Sequence, residues 1–285
     1  MIAMLHNVRV GLLSPWLRPF LYVSATYVGL LSMLLFFENW LVYRPATSRD
    51  WVLPPANSGI EDIDLATADG TRIHAWWCPA QGSDQALLYF HGNAGNLSHR
   101  GASIVKVRDL LGVSVLILDY PGYGKCGGSP SEVGCYQSAD AAYNWMVEKK
   151  KIAPSKILLY GASLGGGVAT ELASRKDHRA LILVKTFTSL PDVASDLYWW
   201  LPAPKRLLMT NQFDSLTRVK TCRRPIFIAH GTADTLIPHI HGKRLFEAAH
   251  EPKRFFEMPN AGHNDSLPPE FFTSLKDFLA SNSVE

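Results

Sequence analysis

Hydrophobic positions along the chain fall into three regimes. Residues 20–37 carry no charge and are mostly Leu, Val, Phe, Met and Tyr. As a helix rising ~1.5 Å per residue, this run reaches about 27 Å, close to the ~30 Å hydrocarbon layer of a bilayer. Residues 60–67 and 71–79 flank Asp69-Gly70 and read as two strands joined by a tight turn. Beyond them, short continuous apolar runs recur at 86–90, 113–120, 157–160, 181–184, 225–229 and 255–258. Stretches with helical spacing lie between most of them, at 138–149, 165–175, 242–249 and 268–280. Short apolar strands alternating with helices predict the α/β class: βαβ units making a mostly parallel, doubly wound sheet covered on both faces.

The N-terminal run reads as an uncleaved membrane anchor. After Phe37 comes Glu38-Asn39-Trp40-Leu41, with no small-x-small cleavage site and no cysteine following as a lipid attachment point. A cleaved signal peptide and a buried core helix are the competing readings. Trp16, Trp40 and Tyr43 flank the run where an aromatic belt lies. Arg9 and Arg18 before it are matched by Arg44 and Arg49 after it, so basic residues give no orientation. The free amino group and the lack of acidic residues before Glu38 favour an inside amino terminus, with the bulk of the chain on the non-cytoplasmic side. Cys126 and Cys135 can pair there or stay free thiols.

One interval breaks the strand–helix rhythm. Residues 189–220 hold Pro191, Trp199, Trp200, Pro202 and Pro204 between two strands. Two readings stand: a surface helix pair packed by its own tryptophans, or a cap over the sheet edge where ligands bind.

Composition narrows the function classes. With 285 residues, 47% hydrophobic and 19% charged, the chain is globular and has room for a deep core. Its net charge of +3 comes from scattered residues rather than a basic stripe, so no nucleic-acid partner is expected. Cys78, Cys126, Cys135 and Cys222 match no zinc or dithiol spacing, and neither a Rossmann nor a Walker glycine pattern occurs. No metal site is expected. The triplets beginning at Asn96 and Asn264 fit the glycosylation pattern, but each sits inside a motif and reads as coincidence.

The most informative segment runs from Lys156 to Gly167. A strand enters Gly161-Ala162-Ser163-Leu164-Gly165, which opens a helix. This is the context of a nucleophile elbow, whose turn is so sharp that the positions two before and two after the serine must lack side chains. A serine hydroxyl is a poor nucleophile until an imidazole takes its proton and a carboxylate orients that imidazole. Asp234 and His263 each follow a strand, in the order acid then histidine. His239, His241, His250 and Asp265 read as solvated surface residues, and Asp214 in the cap is the acid held in reserve. For the oxyanion, one backbone N–H comes from Leu164. The other comes from Asn93 in the loop His91-Gly92-Asn93-Ala94-Gly95-Asn96. His91 precedes the nucleophile and reads as a brace for that loop.

Together with Asp119-Tyr120-Pro121-Gly122-Tyr123-Gly124, His230-Gly231-Thr232-Ala233-Asp234 and Gly262-His263-Asn264-Asp265, these motifs resemble the α/β-hydrolase superfamily. More narrowly, they are similar to its membrane-anchored bud-emergence and ABHD-type branch. The likeness covers roughly residues 40–280 and includes Phe187-Thr188-Ser189-Leu190 and Gln212-Phe213-Asp214-Ser215. With the anchor and cap readings above, it divides the chain into residues 1–45, anchor and juxtamembrane segment, and 46–285, one α/β-hydrolase domain with its cap at about 189–220. It also implies a serine hydrolase acting on an ester, thioester or related acyl bond without a cofactor. Cys126 and Lys185 depart from the family pattern and are expected near the entrance. A lipophilic acyl substrate is the leading expectation; an amidase or aminopeptidase and a non-catalytic scaffold are the alternatives.

Overall fold

The computed structural model describes residues 16–282; Arg9 and the rest of the segment before Trp16 lie outside the described residues. Eight strands make the central sheet: β1 (Glu61–Ala66), β2 (Arg72–Cys78), β3 (Ala86–Phe90), β4 (Ser114–Leu118), β5 (Ile157–Ala162), β6 (Ala180–Val184), β7 (Ile226–Gly231) and β8 (Lys253–Met258). Their spatial order is β8-β7-β6-β5-β3-β4-β2-β1. The β1–β2 and β2–β4 pairs are antiparallel, and every other pair is parallel. The Asp69-Gly70 turn closes the β1–β2 hairpin, with Gly70 at φ +83°.

Strands β3, β4, β6 and β7 are buried along their whole length, which is why they read as unbroken apolar runs. Alternate residues feed two cores. Leu88, Leu116, Leu159 and Ile228 face α4 (Glu132–Glu148), α5 (Leu164–Ala173), α8 (Ser215–Val219) and α9 (Ile240–Ala248). Leu87, Val115, Leu158 and Phe227 face α3 (Gly101–Leu111) and α10 (Pro269–Ser281). Helix α3 escapes the periodicity reading because only Ile104 and Val107 are buried among its apolar side chains. Helix α4 starts earlier than its spacing predicts, where the Ser131 hydroxyl caps Gly134 N at 3.0 Å.

At the N-terminal end, α1 (Arg18–Phe36) is long and apolar enough to cross a membrane and is followed by α2 (Glu38–Val42). Its half-buried positions are Tyr27, Leu30, Leu31, Leu34 and Leu35, a spacing of three and four that puts one face against the domain. Phe20, Tyr22, Val28, Met33 and Phe36 point away from it. The contact is fixed at Glu38, which is buried. Its carboxylate accepts from Thr210 N (2.9 Å), Thr210 Oγ1 (3.1 Å), Asn211 N (2.7 Å) and Asn211 Nδ2 (2.8 Å). Asn211 Oδ1 in turn accepts from Tyr43 Oη at 2.7 Å and Glu132 N at 3.2 Å. Higher up α1, the Tyr27 hydroxyl donates to the Pro202 carbonyl.

Residues 189–220 contain α6 (Leu190–Leu197), α7 (Lys205–Leu208) and α8. Trp199 and Trp200 are 81% and 56% exposed, so the pair is not packed by its own tryptophans. Its inner face, described next, lies over Ser163.

Candidate active site

Strand β5 delivers Ser163 at the carboxyl edge of the sheet with φ 52° and ψ −119°, a region that costs an L-residue about 1–3 kcal/mol. The turn is held by Ser163 N donating to Val184 O (3.0 Å), Gly166 N to Ser163 O (2.9 Å) and Thr186 Oγ1 to Ser163 O (2.7 Å). A Cβ at Gly161 would strike the Gly165 carbonyl and Gly166 Cα, and one at Gly165 would strike the Phe90 carbonyl. Both flanking glycines are therefore steric requirements of the elbow.

The three residues singled out in the sequence meet. Ser163 Oγ lies 3.1 Å from His263 Nε2, and His263 Nδ1 lies 2.8 Å from Asp234 Oδ2. Asp234 Oδ1 accepts from Leu236 N at 3.0 Å and Ile237 N at 2.8 Å. Burial pushes the Asp234 carboxyl up, but hydrogen bonds from His230, His263 and Ile237 N outweigh it. The carboxyl is held well below the usual carboxylate range. Ionised Asp234 takes the His263 Nδ1 proton as its hydrogen bond, which leaves Nε2 to accept from Ser163 Oγ.

Asn93 and Leu164 line a cavity together with Ser163, and neither backbone N–H has a backbone or side-chain acceptor among the described residues. Asn93 is fixed through its side chain, whose Oδ1 accepts from Arg44 N (2.9 Å) and Tyr123 Oη (3.0 Å). The loop is braced from below. His91 Nε2 meets Asp119 Oδ1 at 3.1 Å, Leu97 N donates to the same oxygen at 2.7 Å, and Tyr120 Oη donates to His91 O at 2.9 Å. The Asp119–Gly124 motif thus braces the loop that carries Asn93.

Several expectations change. His241 is not a solvated surface residue. Its ring is buried between Thr188 Oγ1 and Asp196 Oδ2, both 2.8 Å away, and burial lowers its pKa. Its position facing inward from α9 ties the cap to the body. Asp265 is exposed, as expected, but its Oδ2 also accepts from Gly262 N at 2.7 Å and shapes the histidine loop. Asp214 caps α8, accepting from Thr217 N at 3.2 Å, and is committed there. Lys185 is buried at the end of β6, where Nζ donates to Gly262 O (2.8 Å), His263 O (3.1 Å) and Asp265 O (2.7 Å). It clamps the loop that carries His263. Cys126 is not near the entrance: its sulfur accepts from His74 N at 3.2 Å and packs on the core. All four cysteines are free thiols, with Cys135 buried. Asn96 is also buried, its side chain spent on Ser98 N and Ser98 Oγ, so the first glycosylation triplet is structural.

Two cavities meet at Ser163. One, of about 280 Å³, is lined by Ser163, Leu164 and Asn93 at its floor, by Leu31, Leu34 and Leu35 of α1, and by Val193 and Leu197 of α6. The other, of about 530 Å³, is lined by Ser163 and His263 together with Arg100, Ser103, Lys106 and Lys185. Among the described residues, no group of three or more His, Cys, Asp or Glu side chains is placed to hold a metal ion.

A family model described as alpha/beta hydrolase fold matches residues 85–205. Protein bem46 of Schizosaccharomyces pombe is 32% identical over 267 residues, covering 89% of each chain. The alpha/beta hydrolase domain-containing protein WAV2 of Arabidopsis thaliana is 31% identical, covering 86% of this chain and 89% of its own. The chain belongs to the α/β-hydrolase family. The fold is similar to that of solved structures: the Pyrococcus furiosus esterase Pf2001 superimposes with a TM-score of 0.69 at 18% identity, covering 85% of this chain and 99% of the esterase. The hydrolase elements that sequence reasoning missed are the α1 face, the Glu38 tie and the lysine clamp. A helix whose few polar residues, Arg18, Ser24, Thr26 and Ser32, draw no clear stripe gives no mark of its inner face. Glu38, the first acid after the run, was the available signal.

Proposed function

We propose that the protein is a membrane-anchored serine hydrolase that cleaves an acyl ester or thioester through an acyl-enzyme. Ser163 Oγ attacks the acyl carbonyl while His263 Nε2 takes its proton, and Asp234 steadies the resulting imidazolium. The N–H groups of Asn93 and Leu164 receive the developing oxyanion. His263 then returns the proton to the leaving group, and water completes the cycle by the same route. The observation that carries this reading is the 3.1 Å contact between Ser163 Oγ and His263 Nε2 at the floor of an apolar cavity.

The cavity sets the substrate class. Walls of Leu, Val and Phe fit an acyl chain, each buried methylene contributing about 0.8 kcal/mol, roughly fourfold in affinity. The anchor reading is supported by the same wall. Leu31, Leu34 and Leu35 line the site and Glu38 bolts α1 to the domain, roles that a cleaved leader does not serve. Exposed Trp199, Trp200 and Leu207 extend the apolar surface beside α1. In this reading, residues 1–45 anchor and 46–285 form the hydrolase domain, on the non-cytoplasmic side, where impermeant thiol reagents reach cysteines introduced on its surface. An aminopeptidase would need acidic groups for the substrate ammonium. The cavity beside His263 has three basic side chains and one lining carboxylate, Asp265.

The test is turnover by the full-length protein in detergent micelles of esters, thioesters and amides over a range of chain lengths. Ester and thioester turnover rising with chain length and lost in Ser163→Ala is the expected result; amide turnover without ester turnover overturns it.

A further inference from the structure

The two cavities at Ser163 differ in what each adds to the serine. Leu164 lines only the apolar one and His263 only the larger one, while Asn93 lies between them and lines both. His263 is the group that protonates the leaving group, so the leaving group departs into the larger cavity. This cavity is basic. Arg100, Ser103 and Lys106 present one face of the start of α3 to it at a spacing of three. Arg100 spends one N–H on Ala94 O at 3.0 Å, and Lys106 Nζ lies 5.5 Å from the centre of the Phe272 ring. Neither has a carboxylate within salt-bridge distance among the described residues. The one lining carboxylate, Asp265, faces Gly262 N, and the Lys185 ammonium is spent on three carbonyls.

We propose that this cavity is an anion subsite that takes a phosphate on the leaving alcohol or thiol, recognised by Arg100, Lys106 and the Ser103 hydroxyl. The inference rests on the serine-hydrolase reading and names its substrate as an acyl ester or thioester with an apolar chain and a phosphorylated leaving group. In the acylation step the Ser163 Oγ–acyl bond forms and the bond from the acyl carbon to the leaving oxygen or sulfur breaks. The serine proton passes through His263 to that atom, and the phosphorylated alcohol or thiol leaves through the basic cavity. Water then releases the fatty acid and restores the serine.

The experiment uses the full-length protein in micelles of an uncharged detergent, so that the surface adds no charge of its own. Two pairs share one acyl chain: acylglycerol against acylglycerol phosphate, and acyl-pantetheine against acyl-phosphopantetheine. The first pair represents a lipid head group and the second a soluble thiol. In whichever pair is the substrate, kcat/KM favours the phosphorylated member by about tenfold, mainly through KM, as expected for one or two charge-assisted hydrogen bonds. The ratio falls towards unity in Arg100→Ala/Lys106→Ala, is retained in Lys106→Arg, and declines with added salt. Lys156→Ala, which lines neither cavity, keeps it. A second readout follows Ser163 labelling by a fluorophosphonate, which glycerol phosphate slows and glycerol does not. Equal kcat/KM within both pairs, a ratio that survives the double variant, or labelling indifferent to glycerol phosphate overturns the subsite. A folded protein that is never labelled at Ser163 overturns the serine reading beneath it instead.

Discussion

The two cavities that share Ser163 are built from different parts of the molecule. The basic one is walled by the sheet's own connections: the loop after β3, the start of α3, the end of β6 and the loop that carries His263. The apolar one is walled by α1, α2, α6 and α7, which lie outside the sheet and are only half-buried. The first gets its shape from strand ends inside a close-packed core. The second keeps its shape through a few polar ties, of which Glu38 with its four hydrogen bonds is the densest. In the proposed reading, chemistry thus sits on the part of the fold that packing fixes, and acyl-chain recognition on a part that a few polar ties hold in place.

The sharpest break in the comparison falls on the sheet side. Ser163→Ala should lower kcat/KM by about 10⁴-fold or more while leaving the melting temperature within a few degrees, as measured by ester turnover and thermal unfolding. Asp234→Asn should cost about 10⁴-fold in kcat by losing the grip on His263 Nδ1. It also changes stability with pH. Because the folded Asp234 carboxyl titrates below its ordinary 3.8, it adds stability above that value and loses it as pH falls through the folded pKa. Melting curves across pH should therefore show the wild type and Asp234→Asn diverging near neutrality and converging in acid.

On the peripheral side, Glu38→Ala leaves buried Asn211 groups without their acceptor, at about 2–3 kcal/mol. Melting should fall by about 5–10 °C and the preference for long acyl chains should shrink, while short-ester kcat stays near wild type. Glu38→Gln should recover about half of the melting loss, since one amide oxygen still accepts. The smallest effect is the most selective: Leu34→Trp, filling the apolar cavity from α1, should cut kcat/KM for a long-chain ester by about tenfold and leave the shortest ester unchanged. A uniform fall across chain lengths would mean that α1 tethers without lining.

Residues that act through local geometry were legible from the chain. Gly161 and Gly165 announce the elbow because no other residue fits beside the Phe90 and Gly165 carbonyls. Asp234 and His263 announce themselves because each follows a strand, the buried β7 for the acid and the half-buried β8 for the histidine. What stayed hidden depends on contacts between distant segments. Glu38 meets Thr210 and Asn211 across 172 and 173 positions, and Lys185 reaches its carbonyls across nearly 80. His241 looks like a surface residue on a helix until Asp196 and Thr188 close over it. Helix α3 was missed for a weaker reason, its short apolar face.

The most direct test of the central claim is peptide mass spectrometry of folded, full-length protein after reaction with a fluorophosphonate, beside Ser163→Ala and His263→Ala. The account predicts one adduct, on Ser163, absent from the first variant and strongly slowed in the second. A folded wild type that stays unmodified with probes of several sizes, or an adduct on another residue, would contradict it.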